Sequence, residues 1–240
     1  MNAAQFQSGW HAVSQERDIE AFCVGPAQSE NDAPRGTILL LQEIFGVNEA
    51  MRHIATKLSE KGFRVVCADV FGHLERRVNL GYGEADRQRG FALLQAFDPE
   101  VALDHCNAVA EWARHLPGSN GKLAVVGFCI GGLLTLKYAA RFHCDAAVSF
   151  YGVRVHEHLK ELRSIGCPLQ YHVGEADTHI LREHIDAIEN VINGMPNAAV
   201  YTYKGAKHGF FNSLREEAYN REAFLAADHR MLELLTERLR

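Results

Sequence analysis

The chain has 240 residues, 47% of them hydrophobic, with 30 acidic against 25 basic side chains and a net charge of -5. That length and apolar content suit one α/β domain spanning 1–240, with 1–35 as lead-in strands or an extension. The mild negative charge leaves no electrostatic footprint for nucleic acid or an anionic membrane, so neither is expected as a partner. The first twenty residues lack a basic stretch followed by an apolar one, and no apolar run nears the roughly 18 to 20 residues that span a bilayer. A cytoplasmic protein, monomeric or a small homo-oligomer, is the expectation.

Runs of β type alternate with helical ones, the pattern of a mostly parallel sheet with helices on both faces. Strands are predicted at Thr37–Gln42, Phe63–Ala68, Lys122–Phe128, Ala146–Tyr151, Leu169–Val173 and Ala199–Tyr203. After Asn48, a candidate N-cap, Met51, Ile54, Ala55 and Leu58 recur at helical spacing and predict a crossover helix. Residues 72–83 and the helical stretch to Phe97 break the rhythm and read as an excursion over the strand ends, where substrate pockets are commonly lined. Further helices are predicted from Pro99 to about His115, over Ile130–Phe142, and over Glu216–Leu239, where Phe224, Ala227, Met231, Leu234 and Leu235 share a face.

The most informative motif is Gly127-Phe128-Cys129-Ile130-Gly131-Gly132. It joins a buried-type strand to a helix and places a cysteine at the apex of a tight turn. In a G-x-[SC]-x-G elbow the nucleophile is held in a strained conformation, so the positions two before and two after it must be nearly free of side chain. Helix-terminal N–H groups beside the sulfur favour a thiolate and, later, an oxyanion. The same residues also fit a buried structural cysteine in a glycine-rich turn.

A cysteine nucleophile needs a base, and the base needs an orienting acid. Asp177 follows one downstream strand and His208 follows the next, giving the order nucleophile, acid, histidine found in α/β-hydrolases. Glu175 competes with Asp177 for the acid's role, and Asp177 is favoured by the short turn that precedes it. The six cysteines, at 23, 67, 106, 129, 144 and 167, show no C-x-x-C pair and no zinc-ligand spacing, and they read as reduced thiols. Among the histidines, His156, His158, His179 and His184 form no H-x-x-x-H helix with a partnered glutamate, so no metal site is expected.

Four segments together resemble the dienelactone hydrolase (carboxymethylenebutenolidase) family: Gln42-Glu43-Ile44-Phe45-Gly46-Val47-Asn48, the Cys129 hexapeptide, Tyr151-Gly152-Val153 and His208-Gly209-Phe210. The resemblance runs from about Thr37 to the C-terminus. It implies an α/β-hydrolase fold, a Cys129, His208 and Asp177 triad, and no metal or organic cofactor. It assigns Glu43 as a carboxylate near the resting thiol, displaced by substrate and taking the thiol proton as the sulfur swings toward the histidine. A nearby negative charge disfavours thiolate and would shield the sulfur from oxidation between turnovers.

The resemblance also implies an oxyanion hole of the Ile44 and Ile130 N–H groups and a substrate site that includes Arg87, Phe45, Phe91, Tyr151 and Asn212. Arg87 matches the first of two family arginines. Phe91 stands where the family has a tyrosine, and Asn212 where it has the second arginine; a neutral amide can donate a hydrogen bond but cannot neutralise a carboxylate. The expected activity is hydrolysis of a small lactone or ester through an acyl-enzyme, as in aromatic degradation. An esterase or thioesterase of other specificity is the alternative within this class, and a thiol-based redox or electrophile sensor is the alternative outside it.

Overall fold

The computed structural model describes residues 8–26 and 35–240; part of the predicted lead-in, at 1–7 and 27–34, lies outside the described residues. The chain divides into two compact units, Met1–Ala124 with Leu239–Arg240, and Val125–Arg238. Parallel pairing of buried, β-branched strands and helical crossovers make the class α/β with a mostly parallel sheet.

In the first unit, strands β1 (Gly9–Ser14), β2 (Ile19–Val24), β3 (Arg35–Leu41) and β4 (Arg64–Ala68) lie in the order β1-β2-β4-β3. β1 and β4 flank β2 antiparallel, and β3 runs parallel to β4 with Leu39 opposite Val66. Helix α1 (Glu49–Glu60) starts where expected, because the Asn48 carboxamide oxygen accepts from the Met51 N–H at 3.2 Å. Met51, Ile54, Ala55 and Leu58 are its buried face, turned onto β4. The excursion contains helix α2 (Glu84–Ala96), held down by a small core of Phe71, Val78 and Leu93 with Leu80 and Phe97 against it. Helix α3 (Pro99–Arg114) begins at Asp98, whose carboxylate accepts from Glu100 and Val101 N–H.

In the second unit, β5 (Ser119–Phe128) contributes its C-terminal half, Val125–Phe128. It is followed by helix α4 (Ile130–Arg141), β6 (Ala146–Phe150), a single 3-10 turn and the short helix α5 (Leu159–Leu162). Then come β7 (Leu169–Gly174), α6 (Arg182–Ile192), β8 (Ala198–Tyr203) and α7 (Arg221–Leu239), with strand order β5-β6-β7-β8. β6, β7 and β8 pair in parallel. Every residue of α4 from Ile130 to Ala139 is buried, as its nearly continuous apolar sequence requires. Helix α6 was not among the predicted elements, although Ile185, Ile188, Val191 and Ile192 form its buried stripe. α7 starts at Arg221 rather than Glu216, because Asn220 donates its N–H to the Phe210 carbonyl and caps the helix by accepting from Ala223 N–H. Among the described residues, no helix is long and apolar enough to cross a membrane.

The centre of β7 carries an imidazole that no neighbouring motif singles out. His172 is fully buried, stacked on Phe150 at 4.6 Å on one side and on Tyr201 at 5.1 Å on the other. Its ring nitrogens meet the Tyr203 hydroxyl at 2.8 Å and the Gln170 side-chain oxygen at 3.1 Å, so Nε2 carries the proton and Nδ1 accepts. Burial, reinforced by the Arg230 charge, pushes the His172 pKa from 6.5 down to about 3. The unfolded chain therefore binds a proton below pH 6.5 that the native state refuses. The stability this neutral imidazole confers is complete above pH 6.5 and is lost as pH falls toward 3, by up to about 1.4 kcal/mol per pH unit. Urea unfolding near pH 7 and near pH 5 checks this: His172→Gln should show a smaller loss of stability between the two than the wild type.

Candidate active site

The site is built on the turn between β5 and α4. Cys129 has φ 57° and ψ -114°, a region that a side-chain-bearing residue occupies only when its surroundings force it. Backbone hydrogen bonds supply that force. The Cys129 N–H donates to the Phe150 carbonyl at 3.0 Å, and the Cys129 carbonyl accepts from Gly132, Leu133 and Val153 N–H groups. The turn closes so tightly that a Cβ on Gly127 would lie 2.1 Å from the Gly131 carbonyl oxygen and 2.4 Å from the Thr135 hydroxyl. Both obstacles are fixed, the first as backbone and the second by donating to that same carbonyl at 2.9 Å.

The loops after β7 and β8 bring the other two groups to the sulfur. They are tied together by Glu175 N–H to the Tyr203 carbonyl and Ala176 N–H to the Ala206 carbonyl, both at 2.9 Å. Asp177 is buried and each of its carboxylate oxygens is engaged. Oδ1 accepts from His179 and Ile180 N–H at 2.8 and 3.2 Å, while Oδ2 lies 2.8 Å from His208 Nδ1. With the carboxylate so fixed, the imidazole plane is fixed too, and its other side hydrogen-bonds the Cys129 thiol. Glu175, the competing acid, is exposed and accepts from Gly205 N–H. Burial alone would push His208 down, but the Cys129 thiolate charge and the Asp177 carboxylate outweigh it and raise its pKa from 6.5 to about 10. These partners favour the imidazolium form of His208.

Tyr151, with φ 39°, covers the far side of the imidazole at 4.8 Å. Asn212 is buried and uses its carboxamide oxygen locally, accepting from Leu214 N–H at 3.0 Å. Two neighbours of His208 were not among the predicted site residues. His179 meets its ring edge to face at 4.7 Å, and the Arg215 guanidinium lies against Gly209 while pairing with Glu217 at 2.8 Å. His179 sits two residues beyond the acid, and Arg215 three beyond Asn212, so a reading of what each site loop presents could have found both. His156 and His184 stack on one another at 3.5 Å, and among the described residues no group of three or more potential ligands could hold a metal ion.

The remaining predicted site residues belong to the first unit. Glu43 and Ile44 are buried in the loop that follows β3, and the same loop's Gly46 has φ 78° where a Cβ would fall 2.0 Å from the Val78 carbonyl oxygen. Asn48 donates from its side chain to the Leu80 carbonyl and the Tyr82 hydroxyl, and Phe45 packs on Tyr82 at 4.8 Å. The QEIFGVN segment is thus pinned to the excursion. Arg87, half-buried on α2, donates from Nε to the Tyr82 carbonyl at 3.1 Å. Phe91, on the same helix, is 46% exposed.

A strained Gly-x-Cys-x-Gly turn on a mostly parallel sheet, with a carboxylate and a histidine on later loops, is the arrangement of the α/β-hydrolase fold. The chain belongs to the dienelactone hydrolase family, whose model matches residues 19–239. It is 33% identical over 204 residues to the carboxymethylenebutenolidase of Pseudomonas putida, covering 85% of this chain and 86% of that one. It resembles the crystal structure of dienelactone hydrolase from Anabaena variabilis, with a TM-score of 0.69 and 20% identity over 98% of this chain and 99% of that one. It is also similar to a dienelactone hydrolase-like promiscuous phosphotriesterase from metagenomic libraries, with a TM-score of 0.74 and 21% identity over 92% and 93% of the two chains. It is a carboxymethylenebutenolidase-like hydrolase.

The elbow yields a direct test. Gly127→Ala forces a Cβ into fixed backbone and should destabilise the protein by roughly 3 kcal/mol or more, or prevent folding. Thermal unfolding by circular dichroism checks it; a variant as stable as the wild type would mean that the turn opens to admit the methyl group.

Proposed function

We propose that this protein hydrolyses a small lactone or ester by nucleophilic catalysis from Cys129. The observation that carries the reading is the unbroken relay from Asp177 Oδ2 through His208 to the sulfur of a residue strained at φ 57°. The thiolate attacks the ester carbonyl, and the negative charge that develops on the carbonyl oxygen is met by the Ile130 N–H at the first turn of α4. Collapse of the tetrahedral species breaks the C–O bond, and the leaving oxygen takes the proton from His208. In a lactone the leaving group stays tethered. Water, deprotonated by the now neutral His208, then attacks the thioester and releases the carboxylic acid and the thiolate.

Three further roles rest on the family resemblance. The Ile44 N–H is the second oxyanion donor, Glu43 restrains the thiol until substrate binds, and Arg87 recognises a substrate carboxylate. A guanidinium is permanently charged and suited to planar, bidentate contact, which favours an anionic lactone. Asn212 cannot take the part of a second arginine, since it is neutral and its oxygen already supports its own turn. A substrate carboxylate therefore counts for less here than in a site with two arginines. Phe45, Phe91 and Tyr151 complete the proposed substrate-binding residues.

Cys129→Ala should reduce turnover of lactones and aryl esters to a few percent of wild type or less, with unchanged circular dichroism. Retained turnover would reject the nucleophile. His208→Asn should be acylated slowly and fail to deacylate, so intact mass spectrometry after exposure to an activated ester should show a persistent adduct on Cys129.

Arg87→Ala should lower kcat/KM for a carboxylated dienelactone by about tenfold or more, the equivalent of a charge-assisted contact of roughly 1.5 to 3 kcal/mol, and leave a neutral aryl ester unaffected. Equal losses on both substrates would make Arg87 structural.

A further inference from the structure

The six thiols fall into three environments. Cys23, Cys67 and Cys106 are sealed in the core of the first unit, where desolvation raises all three pKa values, Cys67 and Cys106 to about 12. Cys129 belongs to the relay. Cys144 and Cys167 do neither: their sulfurs are 3.5 Å apart, and both line a surface depression of about 540 Å³. Cys144 precedes β6 and Cys167 precedes β7, strands that pair in parallel with Ala147 opposite Leu169. The topology therefore brings the two cysteines to neighbouring strand starts. The relay stands beyond the opposite strand ends, and strands of five and six residues at about 3.3 Å each set the two sites roughly 16 to 20 Å apart.

We propose that Cys144 and Cys167 form an oxidisable dithiol, a second thiol site independent of catalysis, which a hydroperoxide converts to an intrachain disulfide. Closing the pair to a bond of about 2.05 Å asks each sulfur to move by roughly 0.7 Å, within reach of a side-chain rotation at the loop ends where they sit. Cys167 is the attacking sulfur: it is partly exposed where Cys144 is 3% exposed, and the hydrogen bond with Cys144 holds its thiol below the ordinary range. Its thiolate attacks the distal peroxide oxygen, the O–O bond breaks, and the departing alkoxide takes a proton to leave as an alcohol. The Cys144 sulfur then attacks the sulfenic sulfur, forming S–S and expelling hydroxide, which the Cys144 proton converts to water. Two thiols and one hydroperoxide give one disulfide, one alcohol and one water; sulfur loses two electrons and the peroxide gains them. His143 and Asp145 line the depression beside the pair.

The test is treatment of the full chain with a modest excess of tert-butyl hydroperoxide or hydrogen peroxide, alkylation, and tryptic mass mapping without reductant. Cleavage after Arg141, Arg154, Arg163 and Arg182 isolates Cys144 in peptide 142–154 and Cys167 in peptide 164–182. The expected product is these two peptides joined, about 2 Da lighter than their sum and separated again by dithiothreitol. The same cross-link should form in Cys129→Ala and be absent from Cys167→Ser, which keeps its hydrolase activity. Joining of Cys167 to any cysteine other than Cys144, oxidation of Cys167 to its sulfinic acid without a cross-link, or no change at peroxide doses that oxidise Cys129 would overturn the proposal.

Discussion

The backbone of Cys129 is the constraint on which the rest of the second unit depends. A φ of 57° with ψ of -114° costs an ordinary residue on the order of 1 to 3 kcal/mol, and the fold holds it there by hydrogen-bonding both sides of the residue. One bond runs to the end of β6, three others come from α4 and from the loop after β6, and α4 could not start so abruptly without them. The strain has a use. It turns the sulfur toward His208 on the loop after β8, whose imidazole is in turn held by Asp177 on the loop after β7.

Buried imidazoles in this unit show how little the residue type alone decides. His172 and His208 are both deeply buried, yet one is held neutral and the other favours its cation. Desolvation acts on both in the same direction. The difference lies in their partners: His172 has a hydroxyl and a carboxamide between aromatic faces, whereas His208 has a carboxylate on one nitrogen and a thiol on the other side. The neutral imidazole serves the packing of β7 between Phe150 and Tyr201, and the other is held between a carboxylate and a sulfur.

Local signals carried most of the architecture and the residues that the loops after β5, β7 and β8 bring together. Strand runs, the Asn48 cap and the glycines around Cys129 are written in neighbouring residues, because a turn or a cap is satisfied within a few positions. Asp177 and Glu175 stand two residues apart in the same loop, and the sequence alone offers both as the acid. What separates them is that Asp177 turns inward to accept from its own loop's N–H groups, while Glu175 points outward two residues earlier. Helix α6 shows its stripe in the sequence at Ile185, Ile188, Val191 and Ile192. Other features had no local signature. Nothing near His172 announces an aromatic stack drawn from β6 and β8, and the start of α7 depends on where Asn220 meets Phe210.

The cysteines extend the same lesson to pairs. Reading outward from Cys129, Cys144 is the nearest thiol in sequence but lies beyond helix α4, which is buried from Ile130 to Ala139. Its partner is Cys167, separated by 23 positions and delivered by the pairing of β6 with β7. A parallel sheet gathers residues that share a strand end, whatever their spacing in the chain, and it does so twice here. At the C-terminal ends it brings Cys129, His208 and Asp177 together; at the N-terminal ends it sets two thiols side by side. Only the first set came with a recognisable motif, since catalysis demands a strained turn and glycines to permit it, whereas two thiols need only proximity and leave no mark on their neighbours.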